Sequence, residues 1–137
     1  MLKMIAMLSA LLCFSATSLA EIAVIVSKDS TITAADVGEL ERVYLGKSKA
    51  LSGTEVVPIN QNTKSSTSDT FNRAVLNKSS SQVKAYWSKL VFTGKGTPPK
   101  EFDNDAAVIA EVSANPNTVG YIDAASVTDA VKVLATF

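Results

Sequence analysis

The run Asn60-Gln61-Asn62-Thr63-Lys64-Ser65-Ser66-Thr67-Ser68-Asp69-Thr70-Phe71 is built almost wholly of hydroxyls and amides. Ahead of it, Val56-Val57-Pro58-Ile59 reads as a short buried strand, and behind it Phe71, Ala74 and Val75 share one helical face. The polar run therefore falls at a helix N-terminus. There, unpaired backbone N–H groups and the positive end of the helix dipole favour a phosphate, a sulfate or a carboxylate. Ser65, Ser66 and Thr67 are the candidate ligand residues, with Lys64 beside them as a charge. The same composition also serves an ordinary N-cap, because Ser, Thr and Asp are the commonest capping residues whether or not a ligand exists.

Other chemistries are poorly supplied. The chain has no histidine, and its one cysteine, Cys13, lies in a segment expected to be removed. That composition leaves out most metal sites, thiol nucleophiles and histidine-based triads, so neither a cofactor nor an enzyme is expected. A Ser–Lys pair or two carboxylates remain available, and Asp103 and Asp105 are close in sequence, but two acids at a helix start read more simply as a capped, dipole-stabilised turn. Gly46-Lys47-Ser48 ends like a phosphate-binding P-loop, yet Glu41 stands where that motif requires glycine. Asn77-Lys78-Ser79 matches a glycosylation sequon, a frequent chance match. With 13 basic and 13 acidic residues there is no excess of positive charge for nucleic acid or an acidic membrane surface. Lys47, Lys49, Lys64 and Lys95 fall in expected loops. In a layered sheet the loops at the strand carboxyl ends share one edge, which would gather these lysines around an anion.

The elements that must position these residues follow from patterning. Residues 1–20 read as a cleavable signal peptide: Lys3, the apolar stretch Met4 to Phe14, then Ser18-Leu19-Ala20 as the cleavage pattern. The product is expected outside the cytoplasm, in the periplasm, with no membrane insertion after cleavage. Residues 21–137 suit one domain with one core and no disulfide. Ile22 to Val26 is a strand covered on both faces. Thr33 and Asp36 open a helix with Val37, Leu40, Val43 and Tyr44 inward, and Gly46 ends it. Ser79 and Gln82 form a capping box ahead of Val83, Tyr86, Trp87, Leu90 and Val91 at helical spacing. Asp103 or Asn104 caps a helix carrying Val108, Ile109 and Val112, Asn115-Pro116-Asn117 turns the chain, and strands follow at Val119 to Ile122 and Val131 to Leu134. Strands alternate with helices, which predicts an α/β layered sheet of four to five strands flanked by helices.

Taken in order, Leu40-Glu41-Arg42-Val43-Tyr44-Leu45-Gly46-Lys47, Val56 to Ile59, the Ser/Thr run ending in Phe71, Ala85-Tyr86-Trp87 with Phe92 to Gly96, and Val119 to Ile122 resemble the phosphate-binding proteins of bacterial ABC importers. In that family the run reads Arg-x-x-x-Ser-Gly-Thr-x-x-x-Phe. Ser65, Thr67 and Phe71 match it, while Ser66 stands at the glycine and Gln61 at the arginine. The resemblance implies one lobe of a type II periplasmic binding protein, with Gln61, Lys64, Ser65, Ser66 and Thr67 around phosphate or a similar oxyanion. Gln61 lacks the charged fork of arginine, and Lys64 supplies charge without that geometry. The implied partners are an ABC permease, a sensor protein or a second copy of the chain. The alternative implied role is an interaction module that keeps the lobe fold and has lost its ligand.

Overall fold

All six residues of β1 (Ile22–Ser27) are buried, and β1 lies between two other strands, as its unbroken apolar run predicts. The computed structural model describes residues 21–137; the expected leader over residues 1–20, Cys13 included, lies outside the described residues. After β1 come α1 (Val37–Tyr44), β2 (Ala50–Leu51), β3 (Thr54–Glu55), β4 (Val57–Gln61), α2 (Ser66–Val75) and α3 (Ser80–Phe92). The chain continues through β5 (Lys100–Phe102), α4 (Asp105–Ala114), β6 (Thr118–Asp123), a 3₁₀ turn at Ala124–Ser126 and β7 (Val131–Thr136). One sheet runs β5-β4-β6-β1-β7, and β2 pairs with β3 as a separate hairpin. The expected layered α/β sheet is present and is mixed in direction. β4 is parallel to β5 and β6, whereas β1 is antiparallel to β6 and β7.

Strand alternation distributes the core between two faces. Ile22, Val24, Val26, Val119 and Tyr121 meet Leu40, Val43, Tyr44, Phe71, Val75 and Trp87 from α1, α2 and α3. Ala23, Ile25, Ile59 and Ile122 meet Val108 and Val112 from α4 on the other face. Burying a side chain such as Ile25 or Phe71 completely contributes about 1.5–3 kcal/mol. Gly120 is required where α4 crosses β6, because a Cβ there would lie 2.8 Å from a Val108 methyl.

Local signals set the helix ends. Ser79 and Gln82 form the expected capping box, and Asn104 is the N-cap of α4. Asp36 rather than Thr33 caps α1, accepting from the Glu39 amide at 2.7 Å, which leaves Val37 at the overhanging first position, 46% exposed. Gly46, at φ +74°, lets the chain leave α1 across the Trp87 ring. Val91 is exposed rather than inward, because the loop returning at Gly96 packs on Trp87 and Leu90 and stops short of it. Ala74 is exposed as well, the inner face of α2 being Ser68, Phe71, Asn72 and Val75. The β2–β3 hairpin was not expected. Its turn, Ser52-Gly53, has both residues at positive φ, the geometry a two-residue hairpin needs.

Candidate functional site

The polar run divides between the end of β4 and the head of α2. Asn60 and Gln61 complete β4, and Ser65 is the N-cap of α2, its hydroxyl oxygen accepting from the Ser68 amide at 3.1 Å. Other amides of the run are also used internally. Thr63 N–H donates to Glu101 Oε1 at 2.9 Å, Lys64 N–H to Asn62 Oδ1 at 3.0 Å, and Ser65 N–H to the Asn62 carbonyl at 2.9 Å. Among the described residues, the Ser66 and Thr67 amides, at the first two helical positions, have no acceptor. Their hydroxyls are also without a partner there. Two N–H groups, two hydroxyls and the Ser65 O–H thus belong to the first turn of a ten-residue helix, at its positive end; Ser65 and Thr67 line the recess beside it, and Ser66 is exposed and does not.

Behind this rim the crevice is filled by the chain itself. Backbone pairing between β4 and β6 covers Val57 with Thr118 and Pro58 with Val119, and past that register the strands separate. Side chains occupy the gap. Tyr44 Oη lies 3.0 Å from the Ile59 carbonyl and 3.2 Å from that of Val119. Tyr121 Oη donates to Asn60 Oδ1 at 2.6 Å, accepts from Gln61 N–H at 3.2 Å and lies 3.3 Å from Ser68 Oγ. The Tyr121 ring stacks on Phe71 with centroids 3.8 Å apart, so one residue ties β6, β4 and α2 together. Burial, and then the neighbouring Tyr121, pushes the Tyr44 phenol well above its ordinary value; burial also raises Tyr121, against the hydrogen bond from Ser68. Both phenols stay neutral donors at physiological pH.

Gln61 is 3% exposed, and its Nε2 donates to Asp105 Oδ1 at 2.6 Å. Asp105 Oδ2 in turn accepts from the Ser126 hydroxyl at 2.7 Å. Asp105 therefore does more than open α4. On the outer side of α2, Asp69 accepts from Arg73 and Ser80, and these hydrogen bonds, Arg73 first, hold its carboxyl below the usual range. Ser65, Thr67 and Gln61 line a wide recess whose other wall carries Asp103, Asp105 and Asp123. Lys64 is exposed and does not line it.

The expected gathering of lysines at this edge is not found. Lys49 and Lys95 line a different recess, with Val56 and Val57 at the opposite end of β4. Lys47 and Lys49 follow α1 and Lys95 follows α3, so all three lie in connections that return from a helix towards a strand, which reach the amino ends of parallel strands. Tyr121, Asp105, Asp123 and Glu101 were missed as parts of the site. Each comes from a distant stretch, and Tyr121 reads in sequence as an ordinary core aromatic. Among the described residues no group of three or more His, Cys, Asp or Glu is placed to hold a metal.

A scan against family models and a search of curated proteins match nothing. Solved structures do match. A Clostridium perfringens structure described as a phosphate ABC transporter substrate-binding protein with bound phosphate superposes with a TM-score of 0.64 at 21% identity, over 84% of this chain and 45% of that one. An ABC-type phosphate transport receptor from Vibrio cholerae gives 0.58 at 15% identity, over 84% and 46%. PstS from Borrelia burgdorferi gives 0.59 at 16%, over 85% and 47%. The chain thus spans less than half the length of the structures it matches, and its fold is that of one lobe of a phosphate-type substrate-binding protein.

Proposed function

We propose that this chain is a substrate-binding-protein-like module, not an enzyme, that takes phosphate or a similar oxyanion at the head of α2. It works in the periplasm after removal of residues 1–20, beside an ABC permease for phosphate. The absence of any helix long and apolar enough to cross a membrane, among the described residues, fits that placement. The unpartnered amides of Ser66 and Thr67 carry the reading, because two N–H donors at a helix head are an anion site in waiting. Phosphate suits the recess better than sulfate does. Asp103, Asp105 and Asp123 line the recess that Ser65 and Thr67 share, and a P–OH proton can donate to a carboxylate where a fully ionised sulfate is repelled.

Affinity is modest. Two charge-assisted hydrogen bonds at a net of about 1.5–3 kcal/mol each total about 3–6 kcal/mol, a range that brackets the roughly 4 kcal/mol of a millimolar Kd. Calorimetric titration with phosphate and with sulfate, alongside melting curves, tests this. Phosphate should release or absorb heat and raise the Tm, and sulfate should do neither. The absence of both effects at 10-fold excess over a millimolar would refute it.

A second reading is supported by the side chains behind the rim. Gln61 is locked onto Asp105, and neighbouring amides are satisfied by Glu101, Asn62 and Ser65. Under that reading the lobe is a docking module for a sensor or a second copy, and Ser65 is a helix cap. Replacing Ser65 and Thr67 by Ala then costs about 1 kcal/mol of stability and touches no ligand equilibrium.

A further inference from the structure

The end of β4 away from the α2 head opens on a recess of about 520 Å³. Its floor is apolar: Leu45, Val56, Pro58, Trp87, Leu90 and Phe102 all line it. Its charged groups are Lys49, Lys95 and Lys100 against one acid, Glu111, whose Oε1 already accepts from Asn115 Nδ2 at 3.2 Å. Arg73–Asp69 is the one ion pair among the described residues, so none of these lysines is neutralised by a carboxylate. Lys100 Nζ lies 5.3 Å from the centre of the Phe102 ring, which brings its ammonium over an apolar wall of the recess.

Trp87 supplies the largest apolar side chain of the wall. Its side chain is packed against Gly46 and Gly96, where a Cβ would approach the ring to 3.0 and 3.3 Å, and the residue is 7% exposed. Its indole N–H nonetheless has no acceptor among the described residues, although no wholly buried side-chain nitrogen or oxygen is left unpaired there. The N–H therefore has contact with solvent, and Trp87 lines both this recess and a second one beside Val83 and Asn60. A buried tryptophan ordinarily finds a partner for that donor.

We propose that this recess is a ligand site for a small organic carboxylate, whose apolar body lies on Trp87, Leu90 and Phe102 and whose head is drawn to Lys49, Lys95 and Lys100. An inorganic ion would leave most of the volume and all of the apolar floor unused, whereas the volume lies in the range of small-molecule sites. The three exposed ammonium groups at the rim favour an anionic head over a neutral or cationic one. The site stands independently of the α2 head, at the other end of β4.

Trp87 is the single tryptophan of the chain and reports on the site directly. Octanoate titrated into the protein below its aggregation concentration should change the tryptophan emission saturably, with matching heat in calorimetry. Octanol at the same concentrations should give no saturable change. The exposed pair Lys95→Glu with Lys100→Glu should weaken octanoate at least 10-fold with unchanged circular dichroism, and Lys49→Glu should weaken it in the same direction. Ser66→Pro should leave octanoate binding intact. The inference is overturned if octanoate gives no saturable signal, if octanol binds equally, if the double variant binds as tightly as the wild type, or if Ser66→Pro abolishes octanoate binding.

Discussion

Ser66→Pro separates the anion reading from the docking reading better than any alanine. Ser66 occupies the first helical position of α2, where proline is favoured because its missing N–H has no intrahelical acceptor to lose. Ser65 ahead of it sits at φ −76°, ψ 148°, the extended conformation that a following proline demands. The substitution therefore deletes one of the two free amides and leaves the helix standing. Unliganded stability should be unchanged or raised by up to about 1 kcal/mol through the stiffer unfolded chain. Phosphate should lose one charge-assisted hydrogen bond of about 1.5–3 kcal/mol, a roughly 10- to 150-fold weaker Kd. With a wild-type Kd on the order of a millimolar, 10 mM phosphate stabilises by about 1.4 kcal/mol, or roughly 5 °C in Tm for a domain of this size. In the variant the same addition should contribute about 0.4 kcal/mol or less. Differential scanning calorimetry on both proteins, with and without phosphate, reads the comparison. An undiminished phosphate shift in a folded variant would refute the role of the Ser66 amide, and a destabilised unliganded variant would show that this N–H has an acceptor in the protein.

Three further outcomes follow from the packing and the titration of the core. Gly120→Ala should destabilise by about 1–3 kcal/mol in urea denaturation, since its Cβ would meet Val108 at 2.8 Å and Ile59 and Val112 at 3.2 Å; adding Val108→Ala should recover part of that, and simple additivity would refute the contact. Raising the pH above about 10 should unfold the protein with a slope of up to about 1.4 kcal/mol per pH unit per buried phenol, because Tyr44 and Tyr121 ionise in the unfolded chain while their raised values keep them protonated in the fold. Tyr44→Phe should flatten that alkaline limb, and an unchanged slope would mean that the phenol ionises without unfolding. Gln61→Arg should pair with Asp105 and aim a charged fork at the α2 head, tightening phosphate roughly 10-fold by calorimetry; a folded variant with unaltered affinity would show that the arginine position of the family motif is not the missing contact.

What the sequence made legible was local. β1 announced itself as a fully buried run, Ser79 and Gln82 as a reciprocal cap, and Asn115-Pro116 as a turn, because each depends on residues a few positions apart. The position of Ser65, Ser66 and Thr67 at a helix head was readable for the same reason. The occupancy of that head was not. Glu101 reaches Thr63 across 38 positions, Asp105 reaches Gln61 across 44, and Tyr121 reaches Asn60 across 61, and no short-range pattern encodes such pairs. The lysines failed for a topological reason. A loop lysine can be recognised from sequence, but its edge of the sheet depends on whether the connection leaves a strand or returns to one. Lys64 leaves β4, whereas Lys49 and Lys95 follow helices.

The separation of β4 from β6 explains why the α2 head is a rim and not a pocket. In open α/β sheets ligands sit in the crevice beyond the carboxyl ends of diverging strands. Here Tyr121, Gln61 and Asn60 stand in that crevice and satisfy one another, so an ion can reach the Ser66 and Thr67 amides only from outside. Ser66 is exposed, and water screens whatever charge settles there. A facing surface that excluded water from the rim would strengthen the same two hydrogen bonds without adding a contact of its own. Affinity for phosphate should therefore depend on what covers the α2 head more than on any further side chain within the lobe.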